Sequence, residues 1–141
     1  ERQRVYREVL REHGLPSRPE LERLGVIDDE TAAAAIRGLI GLADPPTAVF
    51  SSNAGCTMLL VPLLLGTDLS LASFGDFPMA SSLTPPVCVV DQDPAAMGSL
   101  AAERLLARSR GPLGGDSPTR TVLPVRLIHR GSCVRRGRTA S

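Results

Sequence analysis

The sequence predicts an α/β fold in which a parallel sheet is covered by helices on both faces. Three observations carry that prediction. Short apolar segments at residues 47–50, 69–74, 87–90 and 122–129 have strand length and are bounded by polar or turn-forming residues. The longer segments between them carry helix starts, stops and apolar stripes. The two kinds alternate along the chain, which implies right-handed crossovers between parallel neighbours.

Residues 1–13 read as a charged helix with Val5, Val9 and Leu10 on one face, stopped by Gly14 and Pro16. Residues 24–27 are a short apolar run, after which Asp28 and Asp29 cap a helix over residues 30–43. Asp44-Pro45-Pro46 ends that helix, and a strand at residues 47–50 runs into Ser51-Ser52-Asn53. A helix follows over residues 54–65 and is closed by Gly66. The strand at 69–74 ends at Gly75-Asp76, and the strand at 87–90 stops at Asp91-Gln92. Asp93-Pro94 opens a long helix, with Asp at the cap and Pro at the first helical position. Met97, Leu100, Ala101 and Leu105 give it an apolar stripe. Residues 109–119 form a Gly/Pro loop before the last strand, at 122–129, and Arg135, Arg136 and Arg138 fall in a tail expected to be disordered.

At 141 residues the chain is one domain or one lobe of a larger one, and 43% hydrophobic residues are enough for a core. Its longest apolar run, residues 58–65, is too short to span a bilayer. No leader is visible, but the chain opens at Glu1 as if inside a helix and is read as a fragment. A net charge of +1, with every basic residue an arginine, leaves no nucleic-acid footprint. Cys56, Cys88 and Cys133 are odd in number and widely spaced, so neither a disulfide framework nor a zinc site is expected.

In open α/β sheets, ligands bind beyond the carboxyl ends of the strands. Here those ends carry Asp28-Asp29, Ser51-Ser52-Asn53, Asp76 and Asp91-Gln92, a set suited to a polar small molecule. The same residues also read as helix caps, least so Gln92, because glutamine caps poorly. The segment T-M-L-L-V-P-L-L-L at residues 57–65 is apolar on every face, with Pro62 expected to kink or shorten it. A lobe this small does not enclose such a helix easily, which points to a subunit interface. Phosphate-loop, dinucleotide, zinc-protease and serine-hydrolase motifs are absent. His13 and His129 have no catalytic partner in the sequence, and no cofactor or metal is expected.

Several segments occur in a familiar order: P-P-T-A-V-F-S-S-N at residues 45–53, S-F-G-D at 73–76, L-T-P-P at 83–86, Gln92 followed by Met97-Gly98, and L-P-x-x-L-x-x-R-x-S at 123–132. With Glu1, Arg2 and Tyr6, they make residues 1–133 resemble the effector-binding domain of the LacI/GalR family of transcription repressors, specifically its C-terminal half. The resemblance implies a three-layer α/β/α, periplasmic-binding-protein-like C-terminal lobe. Residues 1–91 would form that lobe. Residues 92–118 would be a crossover helix and loop packing on an N-terminal lobe outside this chain, 119–133 a return strand and 134–141 a tail.

By the same resemblance, Arg2, Asn53, Asp76 and Gln92 are the effector-binding candidates, and the effector is sugar-like or another small polar metabolite. Met58, Leu59, Val61, Pro62, Leu63 and Leu65 would line a homodimer interface. Operator DNA would be read by an N-terminal helix-turn-helix outside this chain, in a cytoplasmic, non-enzymatic regulator.

There are departures from the family pattern. Ala54 and Gly75 stand where relatives carry Asp, Val5 stands where Gly is usual, and the link before Phe74 is shorter. A carboxylate hydrogen bond contributes about 1.5–3 kcal/mol, so each such loss would weaken sugar binding roughly ten- to a hundredfold. A regulator that has lost its effector, and a solute-binding receptor of a transport system, are the alternatives.

Overall fold

A computed structural model describes residues 1–109 and 120–133. In chain order the elements are α1 (Arg2–Glu12), a 3-10 turn (Pro19–Leu21), α2 (Asp29–Ile40), β1 (Ala48–Ser51), α3 (Ala54–Leu64), β2 (Ser70–Phe74), β3 (Cys88–Asp91), α4 (Pro94–Ser109) and β4 (Arg126–Ile128). Most of the expected loop at 109–119, and the tail at 134–141, lie outside the described residues.

Asp28 begins α2 with a reciprocal cap. Its Oδ1 accepts from the Thr31 backbone N–H at 2.8 Å, while Thr31 Oγ1 accepts from the Asp28 N–H at 3.2 Å. Ala32, Ala35, Ile36 and Leu39 then form the buried stripe of this helix. The sequence reading counted Asp28-Asp29 among the strand ends, and this is corrected. Residues 24–27 form no strand: Leu24 and Ile27 face solvent and make no ladder, and Asp28 is committed to its cap.

The strands lie in the order β1-β2-β3-β4. β1/β2 and β2/β3 are parallel, with Ser51 opposite Ser73 and Ser73 opposite Val89. β4 departs from the expected parallel pattern and runs antiparallel to β3, with Val89 opposite Ile128. A parallel return needs a crossover element packed on the sheet. Here α4 buries none of its residues, and the chain doubles back instead.

α3 packs directly on β1 and β2, and α2 packs on α3. The core sits between them: Leu60 and Leu64 of α3 meet Ile36 and Leu39 of α2 and Leu71 and Val89 of the sheet. α1 reaches Phe74 of β2 through Arg2, whose guanidinium lies 4.4 Å from the ring centroid.

Behind the sheet, Ser132 joins β2 to β3. Its Oγ accepts from the Cys88 N–H at 2.7 Å and donates to Leu71 O at 2.5 Å. Its own N–H donates to Pro86 O and its carbonyl accepts from Leu71 N–H. Four bonds from one buried residue bring the R-x-S end of the chain against the starts of two strands.

Candidate functional site

The carboxyl ends of β1, β2 and β3 lie side by side along one edge of the sheet. Asn53 follows β1 as the N-cap of α3, and its Oδ1 accepts from the Cys56 N–H at 2.8 Å. Only one side of the amide is used for the cap, leaving Nδ2 to donate. Below it, Thr57 Oγ1 donates to Asn53 O and shares a 2.7 Å hydrogen bond with buried Ser73, which locks the start of α3 to β2.

Gly75 follows β2 with φ +98°, a conformation that side chains rarely adopt. A Cβ built there would stand 3.2 Å from Gln92 Nε2 and 3.5 Å from Ala54 Cβ. The Gln92 amide therefore lies over a bare backbone, and the two departures from the family pattern, Ala54 and Gly75, lie side by side beneath it. An aspartate at position 75 would need the Gln92 amide to give way and would be strained at this φ.

Arg2 comes from the start of α1. Its Nη1 donates to Ser52 O at 2.6 Å while the guanidinium stacks on Phe74. A cation over an aromatic face contributes about 0.5–1 kcal/mol at an exposed site, and the carbonyl bond fixes the direction of the remaining N–H donors. Arg2, Asn53 and Gln92 are thus brought to the same strand ends.

Asp76 is placed differently. Both its oxygens accept from Arg130, at 3.1 and 2.8 Å, and Oδ1 also accepts from the Phe77 N–H. The guanidinium holds the Asp76 carboxyl below the usual carboxylate range, against a smaller upward push from burial. Asp91, beside Gln92, accepts from the Asp93 N–H and pairs with Arg126 at 2.9 Å, which lower it in the same way. Arg126 and Arg130 stand at these strand ends through their pairs with Asp91 and Asp76, and neither stands out in the sequence as a site candidate. Arg130 was visible only as the arginine of the closing L-P-x-x-L-x-x-R-x-S segment.

A folded-state pKa depressed at Asp76 contributes stability that is present above the ordinary value of about 3.9 and is lost as pH falls through the depressed one. The melting temperature is therefore expected to drop on acidification below about pH 4, and the drop to be shallower in Asp76→Asn. Parallel acid profiles for the two proteins would show that the ion pair adds nothing to stability.

His13 Nδ1 bonds Val9 O at the end of α1, an ordinary helix-end contact. Among the described residues, no group of His, Cys, Asp and Glu is placed to hold a metal, and no helix is long and apolar enough to cross a membrane.

A mostly parallel sheet with α3 and α2 packed on it, followed by a helix left unburied, is the architecture of a periplasmic-binding-protein-like lobe. The chain belongs to the periplasmic binding protein-like domain family, whose model matches residues 1–133. Its relatives include proteins named as operon repressors and as LacI family regulators. The protein named probable opine utilization operon repressor, from Rhizobium rhizogenes, is 32% identical over 90% of this chain and 67% of its own length. The crystal structure of a regulatory protein of LacI family from Chloroflexus aggregans is 28% identical, with a TM-score of 0.73 over 90% of this chain. A LacI family transcriptional regulator from Lactobacillus casei, solved with bound sucrose, is 24% identical and has a TM-score of 0.72 over 94% of this chain. The chain spans about half the length of these two solved proteins, 47% and 50% respectively.

Proposed function

We propose that this chain is the effector-sensing and dimerisation part of a LacI-type transcriptional regulator that binds a small polar ligand at the carboxyl ends of β1–β3. The observation that carries the reading is the convergence of Arg2, Asn53 and Gln92, from three separate segments, on the adjoining carboxyl ends of β1–β3. Arginine offers a fork of donors, and each amide offers a donor and an acceptor, a set that suits hydroxyl or carboxylate oxygens. Asp76 serves as a wall of the site through its pair with Arg130, with spare lone pairs for a ligand hydroxyl. The sucrose held by the L. casei protein is a ligand of this polyhydroxy kind.

In this reading residues 1–91 and 119–133 form the C-terminal lobe, and residues 92–118 belong with an N-terminal lobe outside the chain. The open side of α4 supports the division: Met97 and Leu106 are exposed and Leu105 is 70% exposed, as on a helix waiting for a partner. A helix-turn-helix on the same polypeptide reads operator DNA, and the ligand shifts that binding through its different affinity for open and closed lobes. The protein is cytoplasmic and carries out no catalysis. Met58, Leu59, Val61, Pro62, Leu63 and Leu65 form the homodimer face.

The test is thermal stability of the intact protein against sugars, sugar acids and small carboxylates. A ligand that binds only the folded state adds about 2.7 kcal/mol at a hundred times its dissociation constant. The expected result is a stabilising compound whose effect is lost in Asn53→Ala/Gln92→Ala. A second reading, a regulator that no longer binds an effector, is favoured by Ala54, Gly75 and the engaged carboxylate of Asp76. Operator binding with no stabilising compound would establish that second reading.

A further inference from the structure

Cys88 and Cys133 are distant in sequence, but Ser132 brings them together. Cys88 lies opposite Ala72 in the β2/β3 ladder, and its N–H donates to Ser132 Oγ. Cys133 is the next residue, with its Sγ 3.4 Å from Leu71 O. Cys88 and Cys133 therefore flank Ser132 beside Leu71 and Ala72 of β2, near enough for each thiol to perturb the ionisation of the other. Cys56 is on α3, where its N–H is held by the Asn53 cap, and takes no part.

We propose that Cys88 and Cys133 form a dithiol that a low-molecular-weight disulfide such as oxidised glutathione converts to an internal disulfide, and that this step loosens the Asp76–Arg130 pair at the strand ends. The link to that pair is direct. Cys88 Sγ accepts from the Arg130 N–H and donates to Arg130 O, both at 3.1 Å. The Arg130 side chain in turn holds Val87 O and both oxygens of Asp76. A disulfide sulfur has no S–H, so the bond to Arg130 O is lost on oxidation, one of the two bonds by which Cys88 holds the backbone of the residue that carries the ion pair.

Exposure sets the order of events, since Cys133 is an exposed residue whose sulfur is partly covered against Leu71 O, while Cys88 is buried. The Cys133 thiolate attacks one sulfur of oxidised glutathione, and one glutathione leaves as its thiolate. The Cys88 thiolate then attacks Cys133 Sγ and expels the second. Two protein thiols are oxidised, one glutathione disulfide is reduced, and the two thiol protons end on the two glutathiones. Burial pushes Cys133 up to about 11, which slows the first step. At Cys88 burial pushes the same way, but the hydrogen bond from the Arg130 N–H and the neighbouring Cys133 thiol outweigh it and favour the thiolate that the second step needs.

The test is equilibration of the intact protein in glutathione redox buffers, followed by alkylation and mass mapping of proteolytic peptides. The expected product is a linked pair of peptides carrying Cys88 and Cys133, lighter by two hydrogens, with Cys56 alkylated. In the same samples, carbon-detected NMR should show the Asp76 carboxyl titrating closer to its ordinary value after oxidation. Cys133→Ser, an exposed substitution, should abolish both changes. A Cys133–glutathione adduct that never passes to Cys88 would overturn the dithiol, and a disulfide that leaves the Asp76 titration unmoved would overturn the coupling.

Discussion

Ser132→Ala is expected to lower the free energy of unfolding by about 3 kcal/mol, because a buried donor or acceptor left without a partner costs about 1–3 kcal/mol. The serine hydroxyl satisfies one of each, the Cys88 N–H and the Leu71 carbonyl. Water does not easily replace it, because the residue is only 7% exposed. The loss should appear in urea unfolding as a lower midpoint with an unchanged slope. A change below about 0.5 kcal/mol, the size typical of surface substitutions, would mean that the strand starts find other partners. Ser132→Thr retains the hydroxyl and should recover part of the loss.

The second large effect concerns assembly and rests on the proposed dimer. α3 has a buried side formed by Thr57, Leu60 and Leu64, while Met58 is 51% exposed, Leu63 36% and Leu65 53%. No acidic residue lies in its first turn and no basic residue in its last, so nothing charged softens this face. Met58→Asp/Leu63→Asp should raise the dimer dissociation constant roughly a thousandfold, taking at least about 2 kcal/mol for each central apolar side chain replaced. Sedimentation equilibrium of the intact protein measures it. Both side chains face outward from the protomer core, so the monomer should keep its secondary structure. An unchanged dimer in the double variant would place the interface on another face.

Much of the fold was legible because it is set by interactions within a few residues. The caps at Asp28, Asn53 and Asp93 reach N–H groups three positions ahead, so they are written locally. The all-round apolar character of α3 is likewise a property of its own sequence, although Pro62 is accommodated and the helix runs on to Leu64. Segment existence was therefore readable, while ends shifted by a few residues: α2 stops at Ile40 rather than residue 43, and β4 keeps only Arg126–Ile128 of a longer apolar stretch. The apolar run at 24–27 was misread for the opposite reason. Apolar content makes a strand only where a neighbour offers a ladder, and Leu24 and Ile27 have none.

The candidate site divides in the same way. Asn53, Asp76 and Gln92 stood out because the ends of parallel strands collect on one side of a sheet, which is a consequence of strand order alone. By itself the sequence determined the succession of elements, the capped helix starts, the uncharged face of α3 and the polar strand ends. Only the tertiary structure decided that Asp76 is tied to Arg130 across 54 residues, that Ser132 binds Leu71 across 61, and that Cys88 and Cys133 flank Ser132. The reason is physical. Caps and stripes depend on the backbone's own turn, whereas these pairs exist only when the returning strand settles in one register against β3, and no residue near any of them encodes that register.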